Sequence, residues 1–129
     1  MTVTQRQKDK ILDKLVEALE LPDTAYQKAE ARYTDLGDWF SREESSIRDF
    51  SPHIFAQGSF RLGTAIRPLN EAEEYDLDLA CKLTQNASMS SLTQEEVKNL
   101  VGNETEQYRR KRKISKEQEE KHRCWRLEY

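Results

Sequence analysis

Apolar residues that recur every three or four positions predict two helices in the first part of the chain. Residues 4–20 combine such positions with charged side chains, which is the pattern of an amphipathic helix. Pro22 ends that pattern and favours the first turn of a second helix, which we expect to run to about residue 49. The stripe of the second helix is aromatic and apolar, and we interpret it as a packing face. Its residues are Tyr26, Ala29, Tyr33, Leu36 and Phe40.

After the second helix the pattern becomes that of extended chain and turns. Pro52 pushes the residue before it towards extended geometry, so the helical region is expected to end there. Residues 53–57 are predicted to form a short strand, and Gly58 with Ser59 a turn. One or two helical turns are expected over residues 60–65.

Alternation of polar and apolar residues predicts a second strand over residues 75–83. Successive side chains of a strand point to opposite faces. Asp76 and Asp78 therefore share one face, and four mostly apolar side chains share the other. These are Leu77, Leu79, Cys81 and Leu83.

The last third of the chain begins with a well-marked helix. Thr93 and Glu96 have the spacing of a capping box, in which each side chain bonds the backbone N–H of the other residue. The helix that follows is expected to reach Tyr108 if Gly102 does not break it.

The segment after that helix has weaker signals. Residues 109–113 are all basic; we interpret them as a solvated helix end, and a patch for a triphosphate or a nucleic acid is the alternative. Ser115 with Gln118 suggests another short helix, and residues 124–129 are predicted to form a strand.

The order α, α, β, short α, β, α, β is typical of a mixed α/β (α+β) domain. We expect a small mixed sheet with the long N-terminal helices packed on one face. The predicted division is a helical region over residues 1–51 and a strand-containing core over residues 52–129.

Composition narrows the class of protein. Of the 129 residues 35% are charged and the net charge is −3, so the chain lacks the overall basic character of a nucleic-acid coat. Cys81 and Cys124 have no metal-binding spacing, and we expect both to be reduced. With no signal peptide and no apolar run of membrane-spanning length, we expect a cytoplasmic protein with no membrane partner.

The candidate chemistry lies between residues 53 and 83. Asp76 and Asp78 on one strand would have Cα atoms about 6.5 to 7 Å apart, which is close enough for their side chains to share divalent cations. Mg²⁺ or Mn²⁺ would be suitable, because these ions prefer oxygen ligands such as carboxylates. Burying two like charges together is costly unless a cation neutralises them. Gly58 allows close approach of the backbone to a ligand, and the Ser59 hydroxyl and the Arg61 guanidinium could meet a phosphate.

The residues that matter for a family resemblance lie between positions 57 and 79. They are Gln57-Gly58-Ser59-Phe60-Arg61, Thr64, Ile66-Arg67-Pro68 and Tyr75-Asp76-Leu77-Asp78-Leu79. This combination resembles the nucleotidyltransferase superfamily, and more narrowly the bacterial cyclic-GMP-AMP-synthase-like enzymes of anti-phage signalling.

The resemblance implies a role for each site residue. Gly58 and Ser59 would hold the triphosphate of an NTP substrate, with Gln57 and Arg61 as further nucleotide contacts. Asp76 and Asp78 would bind two Mg²⁺ and so carry the catalysis. The expected product is a cyclic oligonucleotide, and residues 52–129 would be the nucleotidyltransferase core.

The chain departs from the superfamily pattern near its end. The pattern has a third carboxylate on a later strand, and Glu128, the only acid on the last predicted strand, is not expected to fill that role. We therefore expect an N-terminal fragment, a truncated gene product or one piece of a split protein, which needs the missing C-terminal part of the same enzyme. A nucleic-acid or protein activator is expected as a further partner. The alternatives are a minimal RNA or protein nucleotidyltransferase and a non-catalytic nucleotide-binding or interaction module.

Overall fold

The computed structural model describes residues 2–68, 76–84 and 91–128. The elements in these residues are α1 (Gln5–Leu19), α2 (Asp23–Ser41), a 3₁₀ helix (Arg48–Phe50), β1 (Pro52–Gln57), α3 (Gly58–Leu62), β2 (Asp78–Leu83), α4 (Gln94–Lys111), β3 (Glu119–Glu120) and β4 (Trp125–Arg126). β1 pairs with β2 in one two-stranded sheet, and β3 pairs with β4 in another. The β3–β4 pair is antiparallel, with Glu119 opposite Arg126 and Glu120 opposite Trp125. The mixed α/β class predicted from the sequence is confirmed.

The chain divides into two compact units that interleave along the sequence. The first unit contains residues 1–32 and 56–79, and the second contains residues 33–55 and 80–129. α2, β1 and β2 each contribute residues to both units. The predicted division at residue 51, and the packing of the helices on one face of a sheet, stay predictions.

Both ends of α1 confirm the predicted helix over residues 4–20. Thr4 and Gln7 form a capping box: the Gln7 N–H donates to Thr4 Oγ1 at 3.3 Å, and the Thr4 N–H donates to Gln7 Oε1 at 2.9 Å. Such reciprocal bonds satisfy N–H groups that have no partner within the helix. The chain then turns at Pro22, and α2 begins at Asp23, as predicted.

α2 ends at Ser41, so the prediction that it continues to about residue 49 is wrong. The reason is a partner far away in the sequence. The Ser46 N–H and hydroxyl both donate to Glu104 Oε1 at 2.8 Å, which holds residues 42–46 in turns rather than in a helix. The 3₁₀ helix follows, and Ser51, with φ of 49°, redirects the chain into β1.

The first unit buries little and exposes much apolar surface. Its buried apolar residues among those described are Leu21 and Ala29. α1 has no buried residue, and its apolar stripe is exposed. The exposed large apolar side chains in the described residues all belong to this unit: Val3, Ile11, Leu12, Leu15, Val16, Tyr26, Leu62 and Ile66. None of the described helices combines the length and the apolar composition that crossing a bilayer requires.

The second unit contains the larger core. Its buried apolar residues are Leu36, Phe40, Ile47, Tyr108 and Ile114. Leu36 and Phe40 belong to the stripe of α2, so the predicted packing face is confirmed. The Tyr108 ring meets the Trp39 ring edge-on at 6.0 Å between centroids, and its hydroxyl donates to Asp35 Oδ2 at 3.0 Å. A buried phenol thus keeps a polar partner.

Glu104 is the buried charge of this core, with 1% of its surface exposed. Besides the two bonds from Ser46, it accepts a bond of 2.6 Å from Arg42 Nη1. Burial pushes the pKa of this carboxyl up, but the Ser46 N–H and the Arg42 guanidinium outweigh that effect and lower it. The carboxylate is therefore paired and fully bonded, which is the condition for burying a charge.

The basic run of residues 109–113 lies at the end of α4 and is largely paired with acids. Arg109 and Arg110 both bond to Glu106, at 2.7 and 2.9 Å. Arg112 donates two bonds to Asp35, at 2.8 and 2.6 Å. The run therefore lies at a helix end, as interpreted, but it is only partly solvated, since three of its arginines pair with acids of the same unit.

α4 passes through Gly102 without a break, because this glycine is a packing site. A Cβ built there would lie 2.3 Å from Cε2 and Cζ2 of Trp125. The Trp125 indole N–H donates to the Lys98 carbonyl at 3.0 Å, which holds the ring against the helix. The absence of a side chain is thus what lets β4 approach α4.

Two predictions for the last segment need correction. The short helix suggested by Ser115 and Gln118 is wrong: residues 115–118 are not helical, and Gln118 Nε2 donates to the Gly102 carbonyl at 3.0 Å. The strand predicted over residues 124–129 is shorter, with β4 covering Trp125–Arg126. Both differences arise because packing against α4, rather than local pattern, sets the backbone here.

Replacing Gly102 with alanine tests the close approach of Trp125. Helix propensity alone would stabilise the fold by about 1 kcal/mol. The added Cβ must displace the indole ring, and such overpacking costs about 1 to 3 kcal/mol, so we expect Gly102→Ala to lower the free energy of unfolding, measured in urea.

Gly37→Ala is the matched control within α2. Its Cβ would lie 3.8 Å from Ile54, an ordinary contact, so this variant should be stabilised by about 0.5 to 1 kcal/mol. Stabilisation of both variants would contradict the packing role of Gly102.

Glu104→Gln tests the buried charge. The amide leaves Arg42 without its anion, and we expect a loss of about 3 kcal/mol in the free energy of unfolding at pH 7. The exposed Glu43→Gln should change it by less than about 0.5 kcal/mol.

The pH dependence has a defined sign. Because folding lowers the pKa of Glu104, its stabilisation is present above the unfolded pKa of about 4.3 and is lost as the pH falls through the folded pKa. The difference between wild type and Glu104→Gln should therefore shrink below about pH 4. A difference that stayed constant down to pH 2 would count against this assignment.

Candidate active site

The junction between β1 and α3 carries four of the predicted site residues. Gln57 ends β1 with extended geometry, and Gly58 begins α3 with φ of +64°. Only glycine adopts that left-handed conformation without strain. Gln57, Gly58, Ser59 and Arg61 are all exposed. The predicted helical turn is thus present, although it covers Gly58–Leu62 rather than residues 60–65 and includes the predicted Gly-Ser turn.

α3 is short and closed at its end. Gly63 has φ of +68° and ends the helix, and the Thr64 N–H donates to the Ser59 carbonyl at 2.9 Å. A left-handed glycine in this place is a common helix stop. The loop that carries Ser59 is therefore a single closed turn between two glycines.

Asp78 lies directly against Gly58. A Cβ built on Gly58 would be 2.8 Å from Asp78 Oδ2 and 3.5 Å from Asp78 Cβ. The structure thus brings together the Gly-Ser turn and one of the two aspartates, although twenty positions separate them along the chain. A carboxylate and a run of exposed backbone share one small surface.

The two strands that bring these groups together run antiparallel. Asp78 at the start of β2 lies beside Gly58 just after β1, and the Thr84 N–H after β2 donates to the Phe50 carbonyl before β1, at 2.8 Å. The pairing therefore places the start of β2 at the end of β1.

Asp76 precedes β2, so the prediction that both aspartates lie on one strand is wrong for this residue. β1 gives way to α3 at Gly58, and no further residue of β1 is available to pair beyond Asp78. The predicted alternation survives nevertheless, since Asp76 and Asp78 are exposed while Leu77 and Leu79 are half-buried. Tyr75 lies outside the described residues.

The two carboxylates suit a hard divalent cation only in part. Mg²⁺ takes oxygen ligands and commonly uses one or two carboxylates, completed by water and substrate phosphates, which Asp76 and Asp78 could supply. In the described ranges, no three His, Cys, Asp or Glu side chains group closely enough to hold a metal. Any third protein ligand would have to come from elsewhere.

Glu128, the acid of the last predicted strand, is engaged in ion pairs. It bonds to Lys116 and lies 3.5 Å from Arg126 Nε. The Lys116 bond is the main reason that the pKa of Glu128 is lowered. These contacts place Glu128 beside two basic side chains, and the expectation that it is not a metal ligand stays a prediction.

Sequence reasoning missed the residues that connect the Gly-Ser turn to the N-terminal helices. The Arg67 N–H donates to the Leu19 carbonyl at 2.8 Å, and Arg67 Nε donates to the Glu20 carbonyl at 2.6 Å. The Tyr26 ring meets the Phe60 ring edge-on at 5.6 Å between centroids. One available signal was that the last turn of α1 has no basic residue to interact with its carbonyl groups.

Comparison with known proteins places these features in a family context. A family model described as "Cyclic GMP-AMP synthase DncV-like, nucleotidyltransferase domain" matches residues 52–129. A protein of Roseivirga ehrenbergii named c-di-GMP synthase is 32% identical over 135 aligned positions, which cover all of this chain and 34% of that protein. The chain thus spans about a third of the length of this relative. No solved structure matches the chain.

The contact between Gly58 and Asp78 generates a prediction with an internal control. Gly58→Ala combines a strained φ with a collision against the carboxylate, whereas Gly63→Ala has the strained φ, with no described atom within 4 Å of its Cβ. We expect Gly63→Ala to cost about 1 to 2 kcal/mol in the free energy of unfolding, and Gly58→Ala to cost clearly more.

A double variant separates collision from strain. Removing the carboxylate in Gly58→Ala/Asp78→Ala should recover the collision part, giving a coupling energy of more than about 0.5 kcal/mol in a double-mutant cycle. Strict additivity of the two single variants would contradict the contact.

Proposed function

Because the chain belongs to the family of cyclic GMP-AMP synthase DncV-like nucleotidyltransferases, we propose that it is the triphosphate- and metal-binding part of an enzyme that joins nucleoside triphosphates into a cyclic dinucleotide. The observation that carries the proposal is the contact between the Asp78 carboxylate and the Gly58 backbone. This contact brings the turn that would bind phosphate next to a carboxylate that would bind metal, and nucleotidyl transfer needs these two groups side by side.

The Gly-Ser turn would bind the triphosphate. Gly58 has no side chain, so phosphate oxygens can approach the backbone there, and the exposed Ser59 hydroxyl can donate to them. The guanidinium of Arg61, on the same helical turn, can contact the same anion, and Gln57 can contact the nucleotide from the end of β1. The closed geometry of α3 would keep these donors in place.

Asp76 and Asp78 would hold Mg²⁺ or Mn²⁺ next to that turn. When bound, such an ion neutralises charge on the reacting phosphates and favours attack by a ribose hydroxyl. The chain's own contribution is to keep two carboxylates exposed at the start of β2, where they alternate with the half-buried Leu77 and Leu79. Without a cation these like charges oppose one another.

The similar protein of Roseivirga ehrenbergii supports a cyclic dinucleotide as the product. Its name is c-di-GMP synthase, and we extend to this chain the synthesis of a cyclic dinucleotide, serving as a second messenger in anti-phage defence in the cytoplasm. Acceptor binding and the third carboxylate would come from the part of the enzyme that corresponds to the remainder of the relative. An activator is a further expectation, but the paired basic run of α4 offers little free charge for a nucleic acid.

One observation favours a second candidate. Within the part of the chain that the structure describes, no group of three metal-ligating side chains exists. The chain by itself would then be a nucleotide-binding module without catalysis. Both candidates would bind a nucleotide, but only the enzyme would form a product.

The decisive assay uses the complete gene product with labelled ATP, GTP, CTP and UTP and either Mg²⁺ or Mn²⁺. We expect a cyclic product, and a loss of at least about a thousandfold in rate for Asp76→Asn and for Asp78→Asn, since each removes a ligand of the metal that stabilises the transition state. Asp38→Asn, an exposed aspartate of α2, should retain the wild-type rate.

Three outcomes are informative. A cyclic product that the two site variants lose supports the enzyme. Nucleotide binding without a product supports the module. Unchanged product with Asp76→Asn and Asp78→Asn would show that these carboxylates are not the catalytic ones.

A further inference from the structure

α3, the helical turn that carries Ser59, is attached to the N-terminal helices at both of its sides. On one side Phe60, the residue after Ser59, meets the Tyr26 ring of α2. On the other side the chain leaves α3 at Gly63 and is bonded to the end of α1 within four residues, through Ile66 and Arg67. All of these residues belong to the first compact unit.

Arg67 completes the C-terminal end of α1. The last carbonyl groups of a helix lack partners within it and form the negative end of its dipole. Arg67 bonds two of the carbonyl groups at this end, those of Leu19 and Glu20, and it brings a cation to a helix whose own last turn has none. The Glu20–Ile66 bridge adds a backbone pairing at the same point.

The linker between these attachments has little freedom. Gly63 is held in a left-handed conformation, Thr64 is bonded to the Ser59 carbonyl, and Ile66 is already paired with Glu20. Only Ala65 separates these fixed points. A shift of Ser59 would therefore have to break the Thr64 bond or the Ile66–Glu20 bridge.

We propose that the N-terminal helices position the phosphate-binding turn, with Arg67 and Tyr26 as positioning residues. The proposal rests on the proposed function of that turn and adds a role for the helical region outside the family match. Arg67 acts through the end of α1 rather than by touching the nucleotide. The helices would thus contribute to catalysis by limiting the motion of Ser59 and Arg61 before the nucleotide binds.

The first test needs no ligand. The Thr64 amide reports the closure of α3, and the Trp125 indole N–H, bonded to the Lys98 carbonyl, reports the second unit. Hydrogen exchange of both groups is measured by NMR in wild type, Arg67→Met and Tyr26→Leu. We expect the Thr64 amide to exchange at least about fivefold faster in both variants, with the Trp125 indole unchanged, because only a local opening is affected.

Two results would overturn the positioning role in that test. Unchanged exchange at Thr64 would show that α3 is held without these residues. Equal acceleration at Thr64 and Trp125 would show a general loss of stability instead of local release.

The second test measures the dissociation constant with which the same variants bind GTP in the presence of Mg²⁺. We expect about tenfold weaker binding for Arg67→Met, the effect of losing about one charge-assisted hydrogen bond. Arg67→Lys, which keeps a donor and a charge, should retain most of the affinity. Arg6→Met, which removes another exposed charge from the N-terminal helices, should bind like wild type.

Salt separates positioning from direct contact. If Arg67 acts through α1, the salt dependence of binding stays as in wild type, since no charge contact to the nucleotide is lost. A weaker salt dependence together with unchanged Thr64 exchange would assign Arg67 to the nucleotide and overturn the proposal. If wild type binds no nucleotide while the exchange result holds, the proposed function of the turn fails and the positioning of α3 stands.

Discussion

The site depends on how closely a carboxylate can approach a backbone. A Cβ atom at position 58 would lie only 2.8 Å from Asp78 Oδ2. Any residue other than glycine would therefore collide with this carboxylate. The antiparallel pairing of β1 and β2 determines that these groups meet, and the left-handed φ of Gly58 determines how α3 departs from them. Under the proposed function, phosphate-binding groups and metal ligands would share one site because the start of β2 lies beside the end of β1.

A similar constraint organises the second unit. There Gly102 makes room for the Trp125 ring. Two residues further along α4, the Glu104 carboxylate accepts hydrogen bonds from Arg42 and Ser46. α4 thus carries a missing side chain for packing at one position and, two residues further along and so on another face, a buried charge for bonding. The cost of burying Glu104 is offset by the number of donors around it, and those donors also end α2 and shape the turns after it.

Charge is used locally in this chain. Arginines of the basic run pair with Glu106 and Asp35, whereas the acids Asp76 and Asp78 are exposed. Arg67 supplies a cation to the end of α1 from a position almost fifty residues away. The apolar stripe of α1 is exposed, and the described residues of the first unit include few buried apolar side chains.

The sequence by itself determined the elements whose signals are local. The stripes of α1 and α2, the capping box of α4, the alternation around Asp78 and the Gly-Ser turn depend on neighbours a few positions apart, so they could be predicted, and with them the family. Tertiary structure decided what depends on distant partners. Ser46 leaves the helix because Glu104 binds it, Gly102 stays helical because Trp125 packs on it, and Asp76 falls outside β2 because β1 ends at Gln57. The opening contact between Gly58 and Asp78 belongs to this second group, since strand pairing alone brings the two residues together.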